Sequence, residues 1–257
     1  MAHQPIINRP AKSRWPRRLA WASVILLLIA AVFIAAAGPA YRMELLALGG
    51  AFSLLRYATY AAIAAAALGL ITLFAAALKR RFGSGFTAVL VMVAAVALLY
   101  VPWQHWQRAQ AVPAIHDITT DMDNPPAFEA VANAREEAPN EVDYPGESTA
   151  EQQRAAYPEV EPLMLDAPLK TVLAATQAEM QDAGWQIADV GAQRIEATAT
   201  TRWFGFKDDV VVRLSEEDDM TRVDMRSASR LGKSDVGTNA ARVHAFLESL
   251  EARVAGE

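Results

Sequence analysis

The sequence predicts a multi-pass α-helical membrane region of three helices, followed by a two-layer α+β domain. Three observations support this prediction. Residues 1–103 carry ten Lys and Arg and one acid, whereas residues 104–257 carry fourteen bases and twenty-eight acids. Long uncharged apolar stretches occur only in the first part, and helical and strand-like apolar periods follow one another in the second. An apolar, basic half joined to a polar, acidic half is typical of a membrane anchor that carries a water-exposed domain.

Three uncharged segments are long enough to cross a bilayer: residues 19–38, 57–78 and 86–103. About twenty helical residues rise roughly 30 Å, which is the thickness of a hydrocarbon core. The apolar stretch 45–55 is too short to cross, and we expect it to be interfacial or re-entrant. The sequence therefore predicts an anchor over residues 1–107, with the lipid bilayer as its partner.

Basic residues mark one side of these spans. They precede the first span and follow the second: Arg9, Lys12, Arg14, Arg17 and Arg18, then Lys79, Arg80 and Arg81. Because Lys and Arg are enriched in cytoplasmic loops, we expect both groups in the cytoplasm. Three crossings then place residues 104–257 in the periplasm of a bacterium. The alternative is that residues 1–40 form a cleaved signal peptide, which would leave two spans and the same location for the carboxyl domain.

The predicted spans hold few groups that could line a transport pathway. A pathway needs polar or ionisable side chains at bilayer depth, because it must replace the hydration of its cargo. The hydroxyl residues within these spans commonly bond to their own helix: Ser23, Thr59, Thr72 and Thr87. We therefore expect an anchor rather than a transporter or channel. The absence of cysteine from the sequence excludes disulfides, cysteine catalysis and zinc–thiolate sites.

Residues 108–165 are rich in proline and lack a long apolar period. We expect them to form an extended strap with one short helix, from Pro126 to about Arg135. Residues 136–151 are acidic and rich in turn formers, so we expect them to be the most mobile part of the strap.

Residues 166–257 have the pattern of an α+β core. One helix is predicted from the Asp166 cap to a stop at Gly184, and another from the Ser234–Asp235 cap to the chain end. Between them, polar and apolar residues alternate over four segments, which indicates a four-stranded antiparallel meander: 185–190, 194–202, 208–215 and 220–228. We expect the two helices to cover its apolar face.

The opposite face of this meander is polar and carries both signs of charge: Glu196, Thr198, Thr200, Arg202, Asp209, Arg213, Arg222, Asp224 and Arg226. One interpretation is a solvated face with cross-strand ion pairs. The other is a polar cleft closed by the strap, residues 113–165. Within the polar cluster Asp208, Asp209, Arg213 and Asp224, the carboxylates are candidates for acid–base catalysis in an envelope hydrolase or transferase. Because neighbouring strand residues point to opposite faces, Asp208 and Asp209 are not expected to act as one dyad.

The connection from the last strand to the last helix is basic. Arg226, Arg230 and Lys233 converge there near helix N–H groups that lack carbonyl partners. With Ser234, Asp235 and Asn239 they form a predicted ligand-binding set suited to a phosphate, sulfate or carboxylate. In the alternative interpretation, Ser234 and Asp235 only cap the helix, and Arg230 pairs with Asp208 or Asp224.

Other ligand classes have little support. The acidic carboxyl half disfavours nucleic acid, and no cofactor is implied. Four histidines on separate elements do not predict a metal site. The oxygen-rich residues Asp117, Asp121, Asp123 and Asn124 lack the glycine and glutamate of an EF-hand, so we interpret them as solvated loop residues.

Three motifs occur in the order Pro113–Asp121, Trp203–Val210 and Asp224–Asn239. Together they resemble the family catalogued as domain of unknown function 1499, over roughly residues 112–254. The resemblance implies a compact domain often associated with bacterial envelopes or plastids, without an established reaction. We expect an inner-membrane protein whose periplasmic domain binds an anionic envelope ligand or a protein partner. The alternatives are the carboxylate-dependent enzyme and a structural scaffold without ligand.

Overall fold

A computed structural model describes residues 14–256, which belong to two compact units divided between Gln104 and His105. Three long apolar helices make up the amino-terminal part: α1 (Trp15–Arg42), α2 (Leu48–Leu78) and α3 (Phe82–Ala111). Each is long and apolar enough to cross a membrane, which indicates a membrane-anchored protein. The predicted basic residues Arg9 and Lys12 lie outside the described part of the chain.

Residues 45–55 do not form a separate interfacial piece, because most of them belong to α2, a continuous helix of 31 residues. The re-entrant prediction was therefore wrong.

Small residues allow α2 to approach its neighbours closely: a Cβ added to Gly69 would lie 3.1 Å from the Met92 side chain of α3. The hydroxyls of Ser23, Thr59, Thr72 and Thr87 bond to carbonyls of their own helices, as predicted.

The second unit contains a six-stranded sheet and four further helices. Its elements in chain order are β1 (Asp117–Thr119), α4 (Ala132–Glu136), α5 (Glu147–Ala156), β2 (Leu163–Leu165), α6 (Leu169–Asp182), β3 (Gln186–Val190), β4 (Arg194–Thr200), β5 (Lys207–Glu217), β6 (Met220–Ser229) and α7 (Thr238–Ala255). The strand order is β1-β6-β5-β4-β3, with β2 also paired to β6, and every pairing is antiparallel.

The predicted four-stranded meander corresponds to β3–β6, but the sheet has two more strands. β1 and β2 come from the strap and pair with the same edge of β6, opposite residues 226–228 and 221–223. Each has only three residues, which is too short for a period of two to be recognised. The strap is therefore part of the sheet as well as a cover for it.

The main core lies between the sheet and the helices α6 and α7. The inward residues of β4, β5 and β6 are buried as predicted: Ile195, Ala197, Ala199, Val210, Val212, Leu214, Val223 and Met225. Trp185 stacks on Phe246 of α7 at 5.2 Å between ring centroids. α6 ends just before Gly184, whose φ of 72° is the left-handed conformation expected of a helix stop.

Several helix predictions need correction. The strap helix predicted from Pro126 to about Arg135 is shorter, because α4 covers only Ala132–Glu136. Asp166 does not cap α6, which begins at Leu169 with Pro168 at the N-cap position. The strap contains two helices rather than one, because residues 147–156 form α5 within and beyond the segment expected to be mobile. The last helix begins at Thr238 and not at Ser234, because Val236 and Gly237 both have positive φ.

Candidate functional site

The strap covers the polar face of the sheet. Phe128 and Val131 pack on Val211 and Ala228, which face outward from β5 and β6. The backbone N–H groups of Glu129 and Val131 donate to the Glu196 carboxylate at 3.0–3.1 Å. The charged side chains beneath are almost completely buried: Glu196, Asp209, Asp224 and Arg226. The strap therefore closes over the middle of this face and excludes solvent from it, whereas Thr200 and Arg202 at its end are exposed.

Arg226 joins the sheet to three parts of the strap. Its guanidinium donates twice to Asp117 of β1, from Nε at 3.0 Å and from Nη2 at 2.8 Å. It also donates to the carbonyls of Pro126 and Val142 at 3.3 and 3.0 Å. The Phe128 ring lies over it, 4.5 Å from Cζ to the ring centroid. Arg226 is only 2% exposed, so these contacts occupy it within the domain.

Asp209 accepts hydrogen bonds from two arginines. Arg135 of α4 donates to it at 3.1 Å, and Arg230 donates from Nε and Nη2 at 2.8 and 2.7 Å. The Thr198 hydroxyl completes the group at 2.7 Å. Burial lowers the pKa of Arg135, whereas the hydrogen bonds to Asp209 raise the pKa of Arg230. The partner of Arg230 is thus Asp209, not Asp208 or Asp224.

A third ion-pair group lies nearer the edge of the covered face. Arg213 donates to both Asp121 and Asp224 at 2.9 Å, and Arg222 donates to Asp224 at 3.2 Å. Asp121, interpreted from the sequence as a solvated loop acid, therefore belongs to this group. Within residues 14–256, no cluster of three or more His, Asp or Glu side chains is placed to hold a metal ion.

A separate polar cluster lies on the helix side of the sheet. Asp208 accepts a hydrogen bond from Arg242 of α7 at 2.6 Å, so Asp208 and Asp209 do face opposite sides. Asn239 donates to the His116 carbonyl at 2.9 Å and to the Ser229 hydroxyl at 3.0 Å. Its amide oxygen accepts from Ser227 at 2.8 Å and from Arg242. Asn239 thus ties the start of α7 to β6 and to the segment before β1.

The start of α7 is satisfied by the chain itself. Asp235 accepts from the N–H groups of Gly237 and Asn239, each at 2.8 Å. Ser234 accepts from the Val236 N–H at 3.2 Å. Burial raises the pKa of Asp235. A carboxylate of the protein therefore occupies the place where an anion was expected at this helix start.

Beside this loop is a pocket of about 260 Å³. It is lined by Ala114, Ile115, His116, Pro145, Thr149, Gln152 and Lys233. The Lys233 side chain is exposed. The Nδ1 atom of His116 is buried without a hydrogen-bond partner among residues 14–256. Sequence reasoning found Lys233 but missed Thr149 and Gln152, because it did not predict α5.

The family described as "Protein of unknown function (DUF1499)" matches residues 117–250, from β1 into α7. The chain belongs to the DUF1499 family. The match includes the whole sheet and the strap from residue 117 onward, and it leaves out α1, α2 and α3. The resemblance found in the sequence motifs is confirmed. No curated protein matches the chain.

Among solved structures, the crystal structure of CalU16 from Micromonospora echinospora is similar to part of the DUF1499 chain. The identity is 19% and the TM-score is 0.24. The match covers 37% of this chain and 82% of the CalU16 chain.

The residues of the predicted ligand-binding set lie in three separate places in the DUF1499 domain. Arg226 and Arg230 lie under the strap, Asn239 lies on the helix side, and residues 233–235 form the loop between them. The acids considered for catalysis each bond to arginine: Asp208, Asp209 and Asp224. The enzyme alternative stays a prediction. The important residues that the sequence did not single out are Arg135, Gln153 and Arg242, because their partners are distant in the chain.

Proposed function

We propose that this protein is a membrane-anchored binding protein whose DUF1499 domain holds an anionic group, such as a phosphate or carboxylate of an envelope molecule, in the pocket beside Lys233. The observation that supports this proposal is that exposed Lys233 and His116 line the same pocket, and that the Nδ1 atom of His116 is buried without a hydrogen-bond partner among the described residues. An ammonium offers three donors to an anion, and an imidazole N–H group can add another.

The size and lining of the pocket favour a small group. Its volume of about 260 Å³ is below that of most drug-sized sites, so a headgroup or a single charged substituent fits better than a whole cofactor. Thr149 and Gln152 supply a hydroxyl and an amide from α5. These neutral groups can fix the orientation of the anion that Lys233 attracts.

The buried arginines have an indirect role in this proposal. Arg226 donates a hydrogen bond from Nη2 to the Val142 carbonyl at 3.0 Å, and its guanidinium lies 5.7 Å from the centre of the Tyr144 ring. Pro145, which follows directly, is a wall of the pocket. Arg226 is thus a positioning residue for the pocket, and Lys233 is the residue expected to contact the ligand.

The test is calorimetric titration of the full chain in lipid nanodiscs with inorganic phosphate and with glycerol 3-phosphate. Lys233→Ala should weaken the binding of at least one probe by about tenfold or more, as expected for the loss of a charge-assisted hydrogen bond. Lys170→Ala is the matched control, because Lys170 is also exposed but lies on α6, away from the pocket. Failure of both probes to bind the wild type, or equal losses in the two variants, would overturn the proposal.

We also propose that the anchor lies in a bacterial inner membrane, with the amino terminus in the cytoplasm and the DUF1499 domain in the periplasm. The support is the placement of Lys and Arg before the first candidate span and after the second. Alkaline phosphatase fused after Glu257 should be active, since it matures only outside the cytoplasm. Activity restricted to a cytoplasmic reporter at the same position would contradict this orientation.

A further inference from the structure

An aromatic hairpin joins β4 to β5. Its residues 201–206 include three aromatic side chains, of which Phe204 contacts the other two. The ring centroids of Trp203 and Phe204 are 4.9 Å apart, and Phe204 stacks on Phe206 at 4.8 Å. Trp203 is 41% exposed, which is unusual for the largest apolar side chain of a water-exposed domain.

The backbone of this hairpin is well fixed. The N–H and C=O groups of Thr201 and Phe206 meet across the turn, with the Thr201 N–H donating to the Phe206 carbonyl at 2.9 Å. The Phe206 N–H in turn donates to the Thr201 hydroxyl at 2.9 Å. Gly205 supplies the positive φ of 74° that the turn requires. The aromatic tip is thus presented on a defined turn.

The two ends of the sheet carry opposite charges. The exposed residues Arg202 and Lys207 flank the aromatic tip, and residues 197–207 contain no acid. At the other end of β5, residues 216–219 are four consecutive acids. β5 has eleven residues, so the two tips are separated by roughly 35 Å. An acidic domain therefore has one basic, aromatic end.

The chain that follows α3 enters the sheet at this same basic end. α3 ends at Ala111, and only residues 112–116 separate it from β1. β1 begins at Asp117, opposite Ala228 of β6. Ala228 in turn lies opposite Asp209, near the start of β5 and two residues from Lys207. The chain thus enters the sheet from the candidate membrane helix at the end that carries the aromatic hairpin.

We propose that the 201–206 hairpin docks on the surface of the bilayer that α1, α2 and α3 span. Trp203 enters the boundary between headgroups and acyl chains, where the indole ring is favoured. Arg202 and Lys207 contact anionic headgroups. Tethering by α3 keeps the hairpin at a high effective concentration near the lipid, so a weak contact is sufficient. The acidic tip at residues 216–219 is directed away from the same anionic surface.

The absence of cysteine makes a direct test possible, because a single introduced cysteine can carry an environment-sensitive dye. Trp203→Cys, labelled with nitrobenzoxadiazole, is compared with Glu216→Cys in the full chain reconstituted into liposomes. The liposomes contain phosphatidylcholine alone or about one-third phosphatidylglycerol. The label at position 203 should show blue-shifted emission, about twofold brighter in the anionic liposomes, and quenching by spin-labelled lipids. The label at position 216 should stay in a water-like environment.

A second variant tests the role of charge. Lys207→Glu in the Trp203→Cys background should remove most of the difference between the two lipid mixtures. Lys170→Glu makes the same charge change on α6 and should leave that difference intact. Water-like emission from position 203 in both mixtures would overturn the proposal. An apolar environment that spin-labelled lipids do not quench would also overturn it, because the hairpin would then be packed on protein. None of these outcomes depends on the Lys233 pocket.

Discussion

The arginines under the strap link the strap to the sheet through buried hydrogen bonds and ion pairs. Arg226 is the clearest example. Its partner Asp117 is 1% exposed, so removing the guanidinium leaves a buried carboxylate without its counter-charge. Breaking a buried pair in this way typically costs about 3–5 kcal/mol. We expect Arg226→Ala to lower the free energy of unfolding of the domain by that amount, measured by denaturant titration of the full chain in detergent.

A matched control is Arg154→Ala. Arg154 and Glu147 form an ion pair at 3.5 Å in which both side chains are at least half exposed. Such surface pairs contribute about 0–1 kcal/mol. A similar, small loss in both variants would show that the Arg226–Asp117 pair does not hold the strap.

Tyr144 gives a prediction on pH. Burial raises its pKa to about 12, and its hydroxyl has no hydrogen-bond partner among the described residues. Between the ordinary pKa of 10 and the raised value, the folded state keeps the proton while the unfolded state releases it. Stability therefore falls as the pH rises through this interval. Tyr144→Phe should remove this component and cost little at neutral pH, which comparison of unfolding free energies at pH 8, 10 and 11 would check. An unchanged pH slope in the variant would contradict the assignment.

At the scale of elements, the Gln153 side chain links α5 to β1 through two hydrogen bonds. Gln153 is fully buried; its amide donates to the Thr119 carbonyl at 2.6 Å and accepts from the Thr119 N–H at 3.0 Å. Gln153→Ala leaves both backbone groups unpaired, and each buried unpaired group costs about 1–3 kcal/mol. We expect a loss of stability in that range or above, with faster hydrogen exchange at the Thr119 amide.

The neighbouring variant Gln152→Ala tests whether the effect belongs to this contact. Gln152 is exposed on the same helix and donates only to the Ser148 carbonyl, four residues earlier. Its replacement should change the unfolding free energy by less than about 0.5 kcal/mol. Slow exchange at Thr119 in Gln153→Ala would contradict the role of Gln153 as the link between α5 and β1.

The contrast between α5 and β4 shows which elements of the fold could be predicted from the sequence and which could not. The alternation of polar and apolar residues predicted β4, β5 and β6, because it shows which side chains enter the core. Apolar stripes at helical spacing predicted α6 and α7. α5 has no comparable stripe, and only two of its residues are buried, Ala150 and Gln153. Its position depends on the tertiary bonds of Gln153 to Thr119, which a local pattern cannot show. β1 and β2 were missed for the same reason, since each exists only through β6.

The candidate site was predictable to a smaller degree. The alternation correctly placed Asp208 and Asp209 on opposite faces, because strand geometry alone fixes that property. It could not show that Asp209 accepts a hydrogen bond from Arg135, which is 74 residues away in the chain, or that Asp117 accepts hydrogen bonds from Arg226. Lys233 lies in a loop whose course depends on the positive φ of Val236 and Gly237. The charges were thus visible in the sequence, whereas their pairing required the closed strap.

At the scale of the whole molecule, the division after Gln104 predicts independent folding of the carboxyl unit. The main core of this unit is built only from its own residues, between the sheet and the helices α6 and α7. Its surplus of acids favours solubility. We therefore expect the fragment 105–257, which lacks α1, α2 and most of α3, to be soluble and to unfold in one cooperative transition. Near-ultraviolet circular dichroism would report the fixed packing of Trp185 on Phe246, which lies in this core. A fragment with helical signal but no near-ultraviolet signal or cooperative transition would mean that the anchor is required for packing, since secondary structure without fixed side chains is the mark of a collapsed, non-native state.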